Sequence, residues 1–308
     1  MADYQLVDYI ETDSVYDGKL FTFGDSLIML YLPTVYEMVE YYRIFDISDP
    51  HNTITISSGV LPIYSRGISY YGEEDAGYAL LPYNNELTII PLKDLTYSSI
   101  DLKFPSMIYS VKLRNGYLYL GCYNGLHIWD VSTPGNYHEI FVENDTIRRW
   151  WSQLSIQDSI LLVNDMNSHG RYVKWNIVDP TSPQKIREGF LPAFNSFYFK
   201  DSILIGFAGG DEEVYSTLFR YIYRDDSFTL AEYKGYEDYF WDNSYTDSII
   251  YARGSRNICI FSAQDLTIRD SIHPLYLNPW DMVSMANHDA VIYVLTRTGL
   301  AVYERSTQ

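Results

Sequence analysis

Short apolar runs alternate with polar turns along the whole chain, and the turns repeat. Gly24-Asp25-Ser26-Leu27 opens the run Ile28 to Leu32, Gln157-Asp158-Ser159-Ile160 opens Leu161 to Val163, and Lys200-Asp201-Ser202-Ile203 opens Leu204 to Phe207. Thr246-Asp247-Ser248-Ile249 and His288-Asp289-Ala290-Val291 continue the series, while Asp75-Ala76-Gly77-Tyr78 and Asn115-Gly116-Tyr117-Leu118 fill its gaps. The turns fall at 25, 75, 115, 158, 201, 247 and 289, in steps of 50, 40, 43, 43, 46 and 42 residues. That is the spacing of four-stranded propeller blades, so seven turns predict an all-β, seven-bladed β-propeller of antiparallel blades.

Within one repeat the pattern gives four strands. In the fourth they are Gln153 to Ile156, Ile160 to Asn164, Arg171 to Ile177 and Gln184 to Gly189. Period-two alternation is interrupted by fully apolar stretches, as expected where both faces of a sheet are covered. No stretch of twelve or more residues carries apolar positions at helical spacing, so helices should be nearly absent. The seventh repeat reaches Gln308 after its third strand, and the unassigned segment 4–10 is expected to supply the fourth, closing the ring and removing an open edge. Residues 1–308 then form a single propeller domain.

A second motif runs in phase with the turns. Ile44-Phe45-Asp46-Ile47-Ser48-Asp49-Pro50, Ile128-Trp129-Asp130-Val131-Ser132-Thr133-Pro134 and Lys174-Trp175-Asn176-Ile177-Val178-Asp179-Pro180 are one pattern, with weaker copies at 89–95, 222–226, 260–266 and 302–304. Three repeats lack the central Asp or Asn and hold Pro91, Tyr223 and Ser262 there. An apolar strand, a central Asp, then Ser-Asp-Pro and a further strand resembles the LVIVD-repeat family of bacterial and archaeal β-propellers. The resemblance covers nearly the whole chain and implies the propeller fold. It implies no particular activity, because propellers with this repeat serve many purposes.

Charge narrows the partners. Asp and Glu number 40 against 22 Lys and Arg, a formal net charge of −18. So acidic a surface repels phosphate backbones and anionic headgroups, which argues against nucleic acid and favours a basic protein or peptide or a neutral glycan. No apolar run approaches the roughly twenty residues that span a bilayer, so no membrane insertion is expected. Cys122 and Cys259 fall in different repeats, too far apart for a disulfide. The first residues contain no basic segment followed by an apolar one, which leaves either a cytoplasmic chain or a secreted one whose leader has been removed. The expectation is a monomer without cofactor.

Two enzymatic coincidences have simpler explanations. Gly24-Asp25-Ser26-Leu27 spells the signature of the GDSL esterases, and Asp270-Ser271-Ile272-His273 has the spacing of their acid and base. That family requires a parallel α/β sheet, whereas Asp25-Ser26 belongs to a repeated turn, in which Asp and Ser are expected to bond nearby backbone N–H groups. Asp165-Met166-Asn167-Ser168-His169-Gly170 copies half of a calcium loop, but His169 is a poor ligand for a hard cation and Asn176 stands where Glu is needed. The cluster Gly209 to Glu213 reads as a solvated acidic turn, and no metal site is expected.

The most informative constellation comes from comparing one position across the repeats. The entrance of each first strand, near the channel rim of a propeller, holds Tyr16 with Asp17, Arg66, Met107, Trp150 with Trp151, Phe194, Phe240 with Trp241, and Trp280 with Asp281. Arg148 and Arg149 precede the Trp pair, Asp242 follows Trp241, and loops between second and third strands add residues such as His169, Arg171 and Arg297. Aromatic faces ringed by carboxylates and guanidinium groups suit recognition of a peptide or a glycan. The reading is a non-catalytic binding or scaffold propeller that recognises a protein or peptide partner. The alternative is carbohydrate binding, with or without glycosidase or lyase activity.

Overall fold

The computed structural model describes residues 4–12, 14–34, 40–61, 73–75, 78–83, 85–92, 102–133, 135–144, 151–165, 170–209, 216–225, 227–238, 240, 242–245, 248–254, 257–272 and 281–306. Strand β1 (Tyr4–Glu11) precedes the first complete blade, which is built from β2 (Asp17–Phe23), β3 (Ser26–Leu32), β4 (Glu40–Asp46) and β5 (Ile54–Leu61). The second blade holds β6 (Glu73–Asp75), β7 (Tyr78–Tyr83), β8 (Glu86–Pro91) and β9 (Leu102–Lys103). The third holds β10 (Ile108–Arg114), β11 (Tyr117–Cys122), β12 (Gly125–Asp130) and β13 (His138–Asn144), and the fourth β14 (Trp151–Gln157), β15 (Ile160–Asp165), β16 (Arg171–Asn176) and β17 (Gln184–Phe190). The fifth holds β18 (Phe194–Lys200), β19 (Ile203–Gly209), β20 (Ser216–Arg224) and β21 (Ser227–Tyr236), and the sixth β22 (Asp242–Tyr245), β23 (Ile249–Arg253), β24 (Ile258–Ser262) and β25 (Ile268–Ile272).

The seventh blade consists of β26 (Met282–His288), β27 (Val291–Thr296) and β28 (Gly299–Arg305), with β1 hydrogen-bonded to β28 as its outer strand. Tyr4 faces Arg305 and Glu11 faces Gly299, so the segment expected to complete the last repeat does so. Each blade is a four-stranded sheet in meander order, and the fold is a seven-bladed β-propeller. No α-helix occurs among the described residues. By internal contacts the chain divides into two compact units, residues 1–81 with 88–100 and 240–308, and residues 82–87 with 101–239.

The second strands carry unbroken apolar runs because each face joins a different core. In β3, Leu27, Met29 and Tyr31 pack with Tyr293, Leu295 and Val302 of the seventh blade, while Ile28, Leu30 and Leu32 pack with Ala79, Leu81 and Ile90 of the second. In β27, Tyr293 and Leu295 belong to the first of these cores and Ile292 and Val294 to another shared with Tyr251 and Ile260 of the sixth blade. In β15, Leu161 and Val163 face Tyr119 and Ile128, whereas Leu162 faces Phe197 and Leu204. Removing one such side chain costs about 2 to 5 kcal/mol.

The repeated turns owe their sequence to backbone geometry rather than to the side-chain bonds expected of them. Asn115 and Gly116 both have positive φ, 51° and 80°, as do Asp201 and Ser202, 50° and 65°. Asp158 and Asp289 repeat the pattern at 51° and 53°. Asn, Asp and Gly tolerate this left-handed region best, and two-residue hairpins need it to match strand twist.

The second motif is explained by side-chain caps. Asp46 Oδ1 accepts the Ser48 N–H at 2.9 Å, Asp130 Oδ1 the Ser132 N–H at 2.9 Å, and Asn176 Oδ1 the Val178 N–H at 3.0 Å. In the sixth blade, which lacks the Asp, Ser262 Oγ takes its place and accepts the Gln264 N–H at 3.3 Å. These bonds, first Ser48 N–H and first the Ser132 hydroxyl, hold the Asp46 and Asp130 carboxyls below the usual carboxylate range. In six outer strands one residue bulges at the matching register: Val7, Ile56, Ile140, Ile186, Ala231 and Arg269. Such bulges twist an edge away from regular pairing.

Candidate functional site

Backbone bonds between the seventh and first blades bring three segments together. The Val15 N–H donates to Arg297 O at 2.9 Å, and the Arg297 N–H donates to Asp281 O at 2.8 Å. The turn after β27 is thereby pinned between the residues that enter β2 and β26. Thr296 builds that turn from inside: its buried Oγ1 donates to Gly299 O at 2.8 Å and accepts the Gly299 N–H at 2.9 Å. From outside, Tyr9 Oη lies 2.9 Å from Thr298 Oγ1. Gly18 lets β2 approach closely, since a Cβ there would lie 2.8 Å from Leu30 O and 3.0 Å from Leu295 Cδ2.

On this scaffold three side chains from separate segments meet at the surface. The Arg297 guanidinium carbon lies 5.9 Å from the centre of the Tyr16 ring, within cation–π range, and its Nε lies 4.0 Å from Asp281 Oδ1. Tyr16 is 46% exposed, and the Arg297 and Asp281 side chains 47% and 36%. An ion pair so exposed adds about 1 kcal/mol or less to folding. Its value is directional: an aromatic face, a planar cation and a carboxylate point outward from a fixed backbone. Beside them Asp17 Oδ1 accepts the Gly18 N–H at 2.9 Å.

Other entrance residues have different placements. Phe240 is 3% exposed and packs edge-on against Phe261 at 5.5 Å between ring centres, and Phe194 is fully buried against Phe197 and Phe219. Met107 is 44% exposed at the third-blade entrance. Arg171 donates to Glu188 of the outer strand, which also accepts from Lys185 at 2.6 Å. Lys185 first and Arg171 second hold the Glu188 carboxyl below its usual range. Trp151 and Asp242 open β14 and β22, and their side chains lie outside the described residues. Arg66, Arg148, Arg149, Trp150, His169, Trp241 and Trp280 lie outside them altogether.

Ser26 opens β3 in the first blade and Asp270 lies in β25 of the sixth, so the two esterase-like residues stand in different sheets; His273 is outside the described residues. Sequence reading passed over a buried polar cluster in the third blade. His127, 2% exposed, has Nδ1 2.6 Å from Glu139 Oε1 and Nε2 2.8 Å from Asn124 Oδ1, and Trp129 Nε1 donates to the same Glu139 oxygen at 3.2 Å. Burial first, and the Glu139 charge second, push the nearby Cys122 thiol up. A lone polar residue inside the apolar run Gly125 to Trp129 was the only sequence signal for it. Among the described residues no group of three or more His, Cys, Asp or Glu could hold a metal ion, and no helix is long and apolar enough to cross a membrane.

Comparison with known proteins gives the class of the fold alone. The chain aligns over 97% of its length, and 99% of the other, with the computationally designed Ika8 protein at 10% identity and a TM-score of 0.63. It aligns over 98% of its length, and 95% of the other, with the N-terminal domain of Nup159 at 11% identity and a TM-score of 0.57. A chain from the S. cerevisiae assembly of Dbp5 with Nup159 and Gle1 gives the same TM-score at 10% identity, over 98% of this chain and 94% of that one. No protein-family profile and no curated protein matches the sequence.

Proposed function

We propose that the chain is a non-catalytic binding or scaffold propeller of the LVIVD-repeat kind, acting as one domain, whose strand-entrance face recognises a protein or peptide partner. The observation that carries the reading is the convergence of Tyr16, Asp281 and Arg297, three half-exposed side chains from three segments, on a turn locked by Thr296. Rigid backbone under exposed aromatic and charged groups is what recognition requires and what packing does not. Nup159, a protein of the same fold, occurs in an assembly with Dbp5 and Gle1, which fits a scaffold role. The charge of −18 favours a partner with basic residues.

The test is a screen of the full chain against peptide and glycan arrays, followed by affinity measurements on the best peptide. Tyr16→Ala, Arg297→Ala and Trp151→Ala should each weaken that peptide by about tenfold or more, while Tyr233→Ala, in outer strand β21, should not. Peptide binding indifferent to all three, or hits confined to the glycan array, would overturn the proposal.

A further inference from the structure

The outer strand of the first blade differs from the others in charge. Every other outer strand carries at least one charged residue, from Lys103 in β9 to Lys185, Arg187 and Glu188 in β17. β5 reads Ile54-Thr55-Ile56-Ser57-Ser58-Gly59-Val60-Leu61 and has none. Charged residues on an edge are a standard defence against pairing with another chain, so their absence leaves this edge open to one.

The fourth blade is an internal control. Ser57 faces Ile44 and Thr55 faces Phe45 with Ile56 bulged, as Arg187 faces Lys174 and Lys185 faces Trp175 with Ile186 bulged. Gly59 lies against the Tyr42 ring as Gly189 lies against the Tyr172 ring. Two strands thus share pairing, bulge and glycine, yet where β17 has Gln184, Lys185, Arg187 and Glu188, β5 has Ile54, Thr55, Ser57 and Ser58. Geometry does not demand the uncharged set. Ile54, Ile56 and Val60 are 49%, 55% and 52% exposed, an unusual aliphatic density for a solvent-facing strand. Beyond the bulge, Ser57 to Leu61 keep residue-for-residue pairing with β4, and Ser57, Ser58 and Gly59 carry small side chains or none.

We propose that β5 is a docking edge, on which an extended segment of a partner protein, aliphatic at alternate positions and basic at its ends, adds as a further strand. Backbone bonding along such an edge supplies affinity, and the exposed aliphatics supply side-chain contacts. Charge selects the occupant. Asp46 stands directly opposite Ile54, Asp49 lies in the turn before β5, and the whole chain carries −18, so a second copy meets its own charge while a basic segment is attracted. This surface is separate from the Tyr16 and Arg297 face and stands or falls without it.

The experiment uses a fluorescent peptide, Lys-Lys-Val-Thr-Val-Thr-Val-Lys-Lys, with a counterpart carrying Glu at both ends. Anisotropy should report binding of the basic peptide at least about tenfold tighter than the acidic one, and hydrogen exchange should slow in residues 54–61 when it binds. Replacing Ile54, Thr55, Ser57 and Ser58 by their fourth-blade counterparts, Gln, Lys, Arg and Glu, should weaken the basic peptide at least about tenfold. Thr55→Lys alone serves if the fourfold variant does not fold. No saturable binding, unchanged exchange in β5, or equal affinity for the folded variant overturns the proposal, as does a concentration-dependent dimer of the full chain protected along β5.

Discussion

The backbone N–H of Thr53 donates to Asp8 Oδ2 at 3.0 Å, joining the turn before β5 to the strand that completes the seventh blade. Nearby, His51 Nε2 lies 2.9 Å from Glu304 Oε2. The N-terminal strand is therefore held along β28 and from the neighbouring blade. Deleting residues 1–11 should lower the melting temperature by about 10 °C or more and promote association through the freed edge of β28, followed by calorimetry and sedimentation. Asp8→Ala, which strands the Thr53 donor, should cost about 1 kcal/mol. A truncated chain that stays monomeric with an unchanged midpoint would show that the pairing contributes nothing.

Two glycines with the same φ separate backbone strain from crowding. Gly135 and Gly170 both have φ of 79°, but a Cβ on Gly135 would meet nothing within 4 Å, whereas one on Gly170 would lie 1.6 Å from Leu191 O. Gly135→Ala should cost about 1 kcal/mol in a urea titration. Gly170→Ala should cost more than about 3 kcal/mol, because the chain leading into the fifth blade has to move. Equal costs would mean that the link between β17 and β18 yields freely.

The caps in the second motif make a prediction for acid. Asp46 and Asp130 have carboxyls held below their ordinary range, Asp46 first by the Ser48 N–H and Asp130 first by the Ser132 hydroxyl. A group with a lowered folded-state value contributes stability present above the unfolded value, near 4, and lost as pH falls through the folded one. Asn176 already makes the same bond without a titrating group. Asp46→Asn with Asp130→Asn should keep the neutral melting temperature and lose less of it on acidification below about pH 4. Melting curves of variant and parent that fall in parallel with pH would refute this role.

Ser26 opens β3 beside a two-residue turn and needs no reactivity. Ser26→Ala should leave stability nearly unchanged, and no hydrolysis of small acyl esters should exceed the uncatalysed rate. Turnover abolished by that substitution would assign the turn a chemical role.

The fold was legible because the turns and apolar runs obey geometry that recurs in every blade. Gly24, Asn115, Asp158 and Asp201 mark hairpins that need positive φ, and Leu27 to Leu32 is continuous because odd and even positions serve two different cores. The site was legible only in part. Tyr16 and Phe240 occupy matching entrances, yet one ring is half exposed and the other 3% exposed, because an aromatic residue serves packing and recognition equally and sequence gives no side-chain direction. Arg171 illustrates the same limit: its partner Glu188 lies on the next strand of its own blade, a pairing set by register. His127 went unread because its bond to Glu139 crosses between β12 and β13 within an otherwise apolar stretch.

The pairing of β1 with β28 also orders the assembly of the chain in time. Tyr4 leaves the ribosome well before its partner Arg305, so β1 waits unpaired while the intervening blades are made. Among the described strand pairs this contact has the greatest sequence separation and so the largest loop-closure entropy. Long sequence separation makes the β1–β28 pairing a late step in folding, and until it forms β1 has no sheet partner for its backbone.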